Sequence, residues 1–152
     1  KRKNYTYYEK RTLHGSSLSP SIYSVMGLHV GDETKAYRYL RRAAFIDLTD
    51  LQKNTREGIH AANAGGVWQT VVFGFAGVTF SEDGVVDICP HMPKEWEGLS
   101  FKLHHRGSKM EITVLPDNSV TVTVLEGGPV SVRINGEAMI LEGFGPAAGG
   151  RS

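Results

Sequence analysis

The stretch Val71-Val-Phe-Gly-Phe-Ala-Gly-Val-Thr-Phe80 marks a change in the spacing of apolar residues, and that change decides the fold class. Upstream of it the spacing is helical. Ser19 can cap a helix with Pro20 in its first turn, and Ile22, Val25, Met26 and Val30 fall on one face. Gly31 ends that helix and Asp32 caps the next. Between Glu33 and Leu48, Ala36, Tyr37, Leu40, Ala44 and Leu48 form an apolar stripe. A third helix is predicted from Gly58 to Phe75, with Ile59, Ala62, Val67, Val71 and Phe75 turned inward. Gly65 and Gly66 lie inside it. A glycine there costs about 1 kcal/mol relative to alanine, so a close-packing or ligand reason is expected.

Downstream of Gly77 the period is two. Strands are predicted at Val78–Phe80, Val85–Ile88, Ser100–His105, Lys109–Leu115, Ser119–Leu125, Val130–Ile134 and Glu137–Leu141. Short turns separate them, and Asn135-Gly136 is the strongest hairpin signal. The expectation is a run of antiparallel strands forming a sheet or small sandwich over residues 78–142, preceded by helices over residues 1–77. The Gly/Ala-rich tail at 143–152 is expected to be flexible. Three helices cannot close a core by themselves, so they must pack on the sheet or on helices outside this sequence.

A chain of 152 residues with 40% hydrophobic content is long enough for one ordinary domain or two small ones, and disorder is not indicated. The formal net charge of +1 leaves no electrostatic footprint for nucleic acid or an anionic membrane. A single cysteine, Cys89, excludes an internal disulfide and a cysteine zinc cluster, and favours a reducing, cytoplasmic compartment. No apolar run approaches the roughly 20 residues of a membrane span, and the N-terminus lacks the apolar core of a signal peptide. The first residue is not Met, and Lys1 need not be the start of the natural gene product.

Two polar motifs carry the chemistry: Arg11-Thr-Leu-His-Gly-Ser-Ser-Leu-Ser-Pro20 and Asn54-Thr-Arg-Glu-Gly-Ile-His-Ala-Ala-Asn-Ala-Gly-Gly66. Each sets hydroxyls, an imidazole or bare backbone N–H groups where a helix begins, which is how proteins hold phosphate. Ser16 and Ser17 read either as phosphate donors or as part of an N-cap cluster. His60, one turn before the Gly65-Gly66 pair, reads either as an oxyanion donor beside a close approach or as a core histidine with tight helix packing. His104 and His105 lie in a strand and point to opposite faces, and His29 and His91 have no partner at ligand spacing, so no metal site is expected. Asp47, Asp50 and Glu57 flank a loop and read as capping or solvated carboxylates. Trp68 reads as core and Trp96 as a packing plug, although either ring is capable of stacking on a sugar.

The order Tyr7-Tyr-Glu-Lys-Arg-Thr-Leu-His-Gly-Ser-Ser-Leu-Ser-Pro20, Gly31-Asp-Glu-Thr-Lys-Ala-Tyr37, Asn54–Gly66 and Pro90-His-Met-Pro-Lys-Glu-Trp-Glu-Gly-Leu-Ser-Phe101 closely resembles the C-terminal part of glycoside hydrolase family 65, over residues 5–115. That family includes the maltose, trehalose, kojibiose and nigerose phosphorylases. The resemblance implies an α+β fragment: the last helices of an (α/α)6 barrel followed by a small antiparallel β domain. It implies inverting phosphorolysis of an α-linked glucose disaccharide, giving β-glucose 1-phosphate and a sugar, with inorganic phosphate as co-substrate and no cofactor. On the same ground Ser16, Ser17 and His60 belong to the phosphate pocket, Gly65 and Gly66 line it, and His14 matches a family histidine at a possible pocket position. The family's general acid lies upstream, so this chain is expected to hold no catalytic residue and to be inactive alone. Its expected partners are the upstream barrel segment and a second copy in a homodimer. Two other readings stand beside this one: an α-glucoside hydrolase of the same lineage, and a stand-alone β-rich carbohydrate-binding or interaction module.

Overall fold

In the computed structural model, residues 1–143 are described; the remainder of the expected flexible tail, from residue 144 on, lies outside the described residues. The chain divides into two compact units, Lys1–Phe75 and a second beginning at Ala76.

The first unit is helical: α1 (Arg2–Glu9), α2 (Ser19–His29), α3 (Glu33–Ala44) and α4 (Ala61–Gln69). A 3-10 turn at Thr55–Glu57 precedes α4, and a π-helical turn at Thr70–Phe75 follows it. Gly31, at φ +70, ends the α2 segment, and Asp32 caps α3 by accepting the Lys35 N–H at 3.2 Å. The α1 helix is an element the spacing did not signal; Tyr5 anchors it in the core, and the Arg2 guanidinium donates to the Val30 carbonyl.

The inward faces differ from those expected. α2 buries Pro20, Ser21, Ser24, Gly27 and Leu28, whereas Ile22 and Met26 are exposed. The reason is close approach. A Cβ on Gly27 would sit 3.2 Å from the Ala36 Cβ, and the Ser24 hydroxyl donates to the Ala36 carbonyl at 2.7 Å. Small residues let two backbones come near, and the buried hydroxyl finds a carbonyl there. α3 ends at Ala44 rather than Leu48; it buries Ala36, Leu40 and Ala43, and Leu48 is 78% exposed. In the third helical segment Phe75 is inward as expected, but Ile59 and Ala62 are exposed, and Asn63, Thr70 and Val72 take the buried places. Trp68 is half exposed, with its ring edge-on to Phe73, rather than in the core.

The second unit holds seven strands: β1 (Val78–Phe80), β2 (Val86–Ile88), β3 (Leu99–His105), β4 (Ser108–Val114), β5 (Val120–Glu126), β6 (Val130–Ile134) and β7 (Glu137–Leu141). They form two sheets, β1-β2-β6-β7 and the meander β3-β4-β5. The expectation of antiparallel strands throughout is corrected by one pair: β2 and β6 run parallel, with Asp87 beside Arg133 in register and joined to it by a 2.6 Å ion pair. The meander returns the chain to the first sheet in the direction of β2, and only a connection of that length permits a parallel neighbour. Ser108, Met110, Ile112 and Val114 alternate inward along β4, as period two requires. The hairpin residues Arg106-Gly107 and Asn135-Gly136 all have positive φ, the geometry of two-residue turns that match strand twist. His105 Nε2–H donates to the Gly84 carbonyl at 2.9 Å and the ring stacks on Phe80, while His104 is exposed, so the two rings do part to opposite faces.

Candidate functional site

The two polar motifs both fall in the helical unit. The Arg11–Leu18 loop runs into α2, and Asn54–His60 runs into α4, with His60 itself at the N-cap. Ser19 was expected to cap α2, but the cap position is Leu18 and the Ser19 hydroxyl is used elsewhere. It meets His14 Nδ1 at 2.7 Å, and His14 Nε2 meets the Tyr39 hydroxyl at 3.0 Å. Tyr39 in turn donates to Glu9, which pairs with Lys35 at 3.2 Å. Both nitrogens of His14 are thus engaged inside the protein, and its backbone sits at φ +51. The Tyr23 and Tyr39 rings pack against the imidazole at 4.6 and 5.1 Å. His14 therefore holds the loop in shape. Burial, followed by the hydrogen bond to Glu9, pushes the Tyr39 hydroxyl up from its ordinary pKa, so it remains a donor to that carboxylate.

Ser16 is exposed, and its hydroxyl oxygen accepts the Leu18 N–H at 3.3 Å, leaving the hydroxyl hydrogen available to an acceptor. Ser17 follows it, half-buried, at the turn into α2. The loop is tied down at two points: Arg42, in the last turn of α3, donates to the His14 carbonyl at 3.3 Å, and Gln52, in the segment after α3, donates to the Gly15 carbonyl at 3.3 Å.

His60 is fixed by a partner that residue spacing alone did not indicate. Its ring Nδ1 lies 2.5 Å from Asp47 Oδ1, and its backbone N–H donates to Asp47 Oδ2 at 2.9 Å. The hydrogen bond from the His60 ring, helped by the backbone N–H, holds the Asp47 carboxyl below the usual carboxylate range. The other ring nitrogen, Nε2, faces the Asn54 amide at 3.4 Å. Asn54 Oδ1 is buried and makes no hydrogen bond among the described residues. Thirteen residues separate Asp47 from His60 and no helical or strand period links them, so the sequence alone reads Asp47 as a capping or solvated carboxylate. The turns at 46–51, anchored by the buried Ile46, supply the connection.

The glycine pair divides in two. A Cβ on Gly66 would lie 2.8 Å from Ser21 Oγ, so this glycine is where α4 closes on α2; Thr70 adds a hydrogen bond to the Ser21 carbonyl at 3.2 Å. Gly65 has nothing within 4 Å of its would-be Cβ. Asn63, on the same helix, donates to the Ala43 carbonyl at 2.8 Å and ties α4 to α3. The two motifs therefore stand on helices locked side by side. Among the described residues, no group of three or more His, Cys, Asp or Glu is placed to hold a metal ion, and no helix is long and apolar enough to cross a membrane.

Comparison with known proteins places these elements. Residues 1–69 match the model of the glycosyl hydrolase family 65 central catalytic domain, and residues 81–141 that of the glycosyl hydrolase family 65 C-terminal domain. A kojibiose phosphorylase of Caldanaerobacter subterraneus subsp. tengcongensis is 50% identical over 142 residues, 93% of this chain and 18% of that protein. An alpha,alpha-trehalose phosphorylase of Geobacillus stearothermophilus is 36% identical over 90% of this chain and 18% of its own length. A maltose phosphorylase of Bacillus subtilis (strain 168) is 33% identical over 94% of this chain and 19% of its own length. A solved structure, "Putative kojibiose phosphorylase from human microbiome", superposes with a TM-score of 0.83 at 32% identity, covering 91% of this chain and 18% of that one. The chain thus spans about a fifth of the length of the relatives it matches.

Proposed function

The chain belongs to glycosyl hydrolase family 65, and we propose that it is the C-terminal portion of an inverting phosphorylase that splits an α-linked glucose disaccharide with inorganic phosphate. The products are β-glucose 1-phosphate and a sugar. In this reading residues 1–77 are the last helices of an (α/α)6 barrel and residues 78–142 its C-terminal β domain. The exposed apolar side chains Ile22, Met26, Ile59 and Trp68 are then the surface that the rest of the barrel covers.

The observation that carries the reading is the pairing of the Ser16-Ser17 loop with His60 at the starts of α2 and α4, in a chain 50% identical to a kojibiose phosphorylase. Phosphate needs several donors converging from one side, and the Ser16 and Ser17 hydroxyls and the His60 ring are the groups of this chain that would supply them. Gly66 contributes through the close approach of α4 to α2, and Gly65 leaves room for the ligand. His14 contributes by holding the serine loop. Held in such a cradle, one phosphate oxygen attacks the anomeric carbon from the face opposite the leaving oxygen, which a carboxylic acid outside this chain protonates; configuration inverts. Without that acid the chain alone is inactive. No cofactor takes part, and a cytoplasmic homodimer completes the reading.

The test is the dependence of rate on phosphate in the complete enzyme with kojibiose, trehalose and maltose. Ser16→Ala, Ser17→Ala and His60→Ala should each raise the phosphate KM with little change in the disaccharide KM. An unchanged phosphate dependence in all three would overturn the assignment. Full turnover in phosphate-free buffer would point to a hydrolase instead, and oligosaccharide binding by this chain without phosphate would point to a binding module.

A further inference from the structure

We propose that Asp47 is the positioning residue of His60: it clamps the ring and the start of α4 together and leaves Nε2 as the one ring nitrogen offered to phosphate. The inference rests on the reading that His60 is a phosphate ligand.

Three observations carry it. First, both Asp47 oxygens are spent on one residue, Oδ1 on the His60 ring at 2.5 Å and Oδ2 on its backbone N–H at 2.9 Å. A two-point clamp of this kind sets the side-chain torsions of the histidine as well as the first turn of its helix. Second, an ionised carboxylate only accepts, so Nδ1 must carry a hydrogen. Asp47 is held in that ionised state by the His60 ring itself. A neutral ring then has a bare lone pair at Nε2, which the Asn54 amide faces at 3.4 Å. With Nδ1 spent on Asp47, Nε2 is the nitrogen left to meet a phosphate: a bare Nε2 accepts from a phosphate P–OH, and an Nε2–H donates to a phosphate oxygen. Third, the Asn54 amide that faces Nε2 keeps its Oδ1 buried and unpaired among the described residues, an acceptor that the protein leaves unused and that a phosphate P–OH would suit. The pair is only partly shielded, with side-chain exposures of 19% for His60 and 25% for Asp47, so an anion can reach it.

The experiment is a double-mutant cycle on the complete enzyme with Asp47→Asn, His60→Ala and both together. Phosphate KM, disaccharide KM and thermal midpoint are read for each. Asp47→Asn should raise the phosphate KM by about 10-fold or more, by analogy with the loss seen when the carboxylate behind a metal-bound histidine is removed, with the disaccharide KM within about twofold. Added to His60→Ala, it should raise the phosphate KM no further, although the Oδ2 contact with the residue 60 backbone N–H still counts in the thermal midpoint. Should the asparagine variant fail to fold, Asp47→Glu serves, since the longer side chain cannot keep both contacts; it should raise the phosphate KM alone. A KM penalty that persists in the His60→Ala background, or that falls equally on both substrates, makes Asp47 merely structural and overturns the inference. If His60→Ala raises the phosphate KM while Asp47→Asn does not, the inference fails and the function stands. If His60→Ala itself leaves the phosphate KM unchanged, the ligand assignment fails and takes the inference with it.

Discussion

Replacing Gly66 and Gly65 by alanine, one at a time, should move stability in opposite directions. Both sit within α4, so each substitution gains up to about 1 kcal/mol of helix propensity. The surroundings decide the rest. At Gly65 the new methyl meets nothing within 4 Å, so the gain is kept and Gly65→Ala should stabilise by about 0.5–1 kcal/mol. At Gly66 it would lie 2.8 Å from Ser21 Oγ and 3.0 Å from Ser21 Cβ, and Ser21 is only 3% exposed. Rotating the hydroxyl relieves the first contact. The second is fixed by the α2 backbone, so the helices must part, at an overpacking cost of about 1–3 kcal/mol. Gly66→Ala should therefore end about 1 kcal/mol less stable than the parent and about 2 kcal/mol below Gly65→Ala. Urea titration followed by far-ultraviolet circular dichroism would measure both. Ser21→Ala gives an internal control, because the Ser21 hydroxyl is buried without a hydrogen bond and its removal should be close to neutral. Combined with Gly66→Ala it should leave most of the loss in place, since the 3.0 Å contact with the residue 21 Cβ stays. If Gly66→Ala stabilised as much as Gly65→Ala, the tight approach of α4 to α2 would not be what this glycine serves.

The β unit offers a sharper contrast. Gly77 has φ +66, and a Cβ there would fall 1.8 Å from the Cys89 carbonyl oxygen, a backbone atom that cannot swing away; Gly77→Ala should cost on the order of 4 kcal/mol. Gly136, at φ +92 with open space around it, should lose only about 1 kcal/mol, and equal effects in a denaturant titration would refute the contact argument. The helical unit should also be acid-sensitive. Burial opposes ionisation of Glu9, but Lys35 and the Tyr39 hydroxyl outweigh it, and the His60 ring lowers Asp47, so both carboxyls are held below their ordinary values of 4.5 and 3.8. Depressed groups contribute stability that is complete above those values and is lost as pH falls through the lower folded ones. The urea midpoint should hold from pH 7 to about 5 and then decline; a midpoint flat to pH 3 would remove both pairs from the account.

Much of the fold was legible along the chain because its signals are local. The switch of period at residues 71–80, the Asp32 cap, the Gly31 stop, the seven strands and the Asn135-Gly136 turn each depend on neighbours a few residues away. The motifs of the candidate site were legible too, as residue order. Illegible was which face of α2 and α4 turns inward, whereas on α3 the expected Ala36 and Leu40 are buried. Apolar spacing pointed to Ile22 and Met26, but α2 buries Ser21, Ser24 and Gly27, because small side chains, a Ser24 hydroxyl that finds the Ala36 carbonyl and a glycine that admits a neighbour allow helices to pack more closely than large side chains do.

Read along the chain are α2, α3, the seven strands, their order and the family to which the motifs belong, but not α1. Only the tertiary structure decided that β2 takes β6 as a parallel neighbour, that Gly66 packs on Ser21, that His14 is spent on Ser19 and Tyr39, and that Asp47 clamps His60. The physical reason is common to all four. Hydrogen bonds and contacts act over a few ångströms in space, whereas sequence patterns report periodicity along the chain, and Asp47 and His60 are joined by turns that have no period to read.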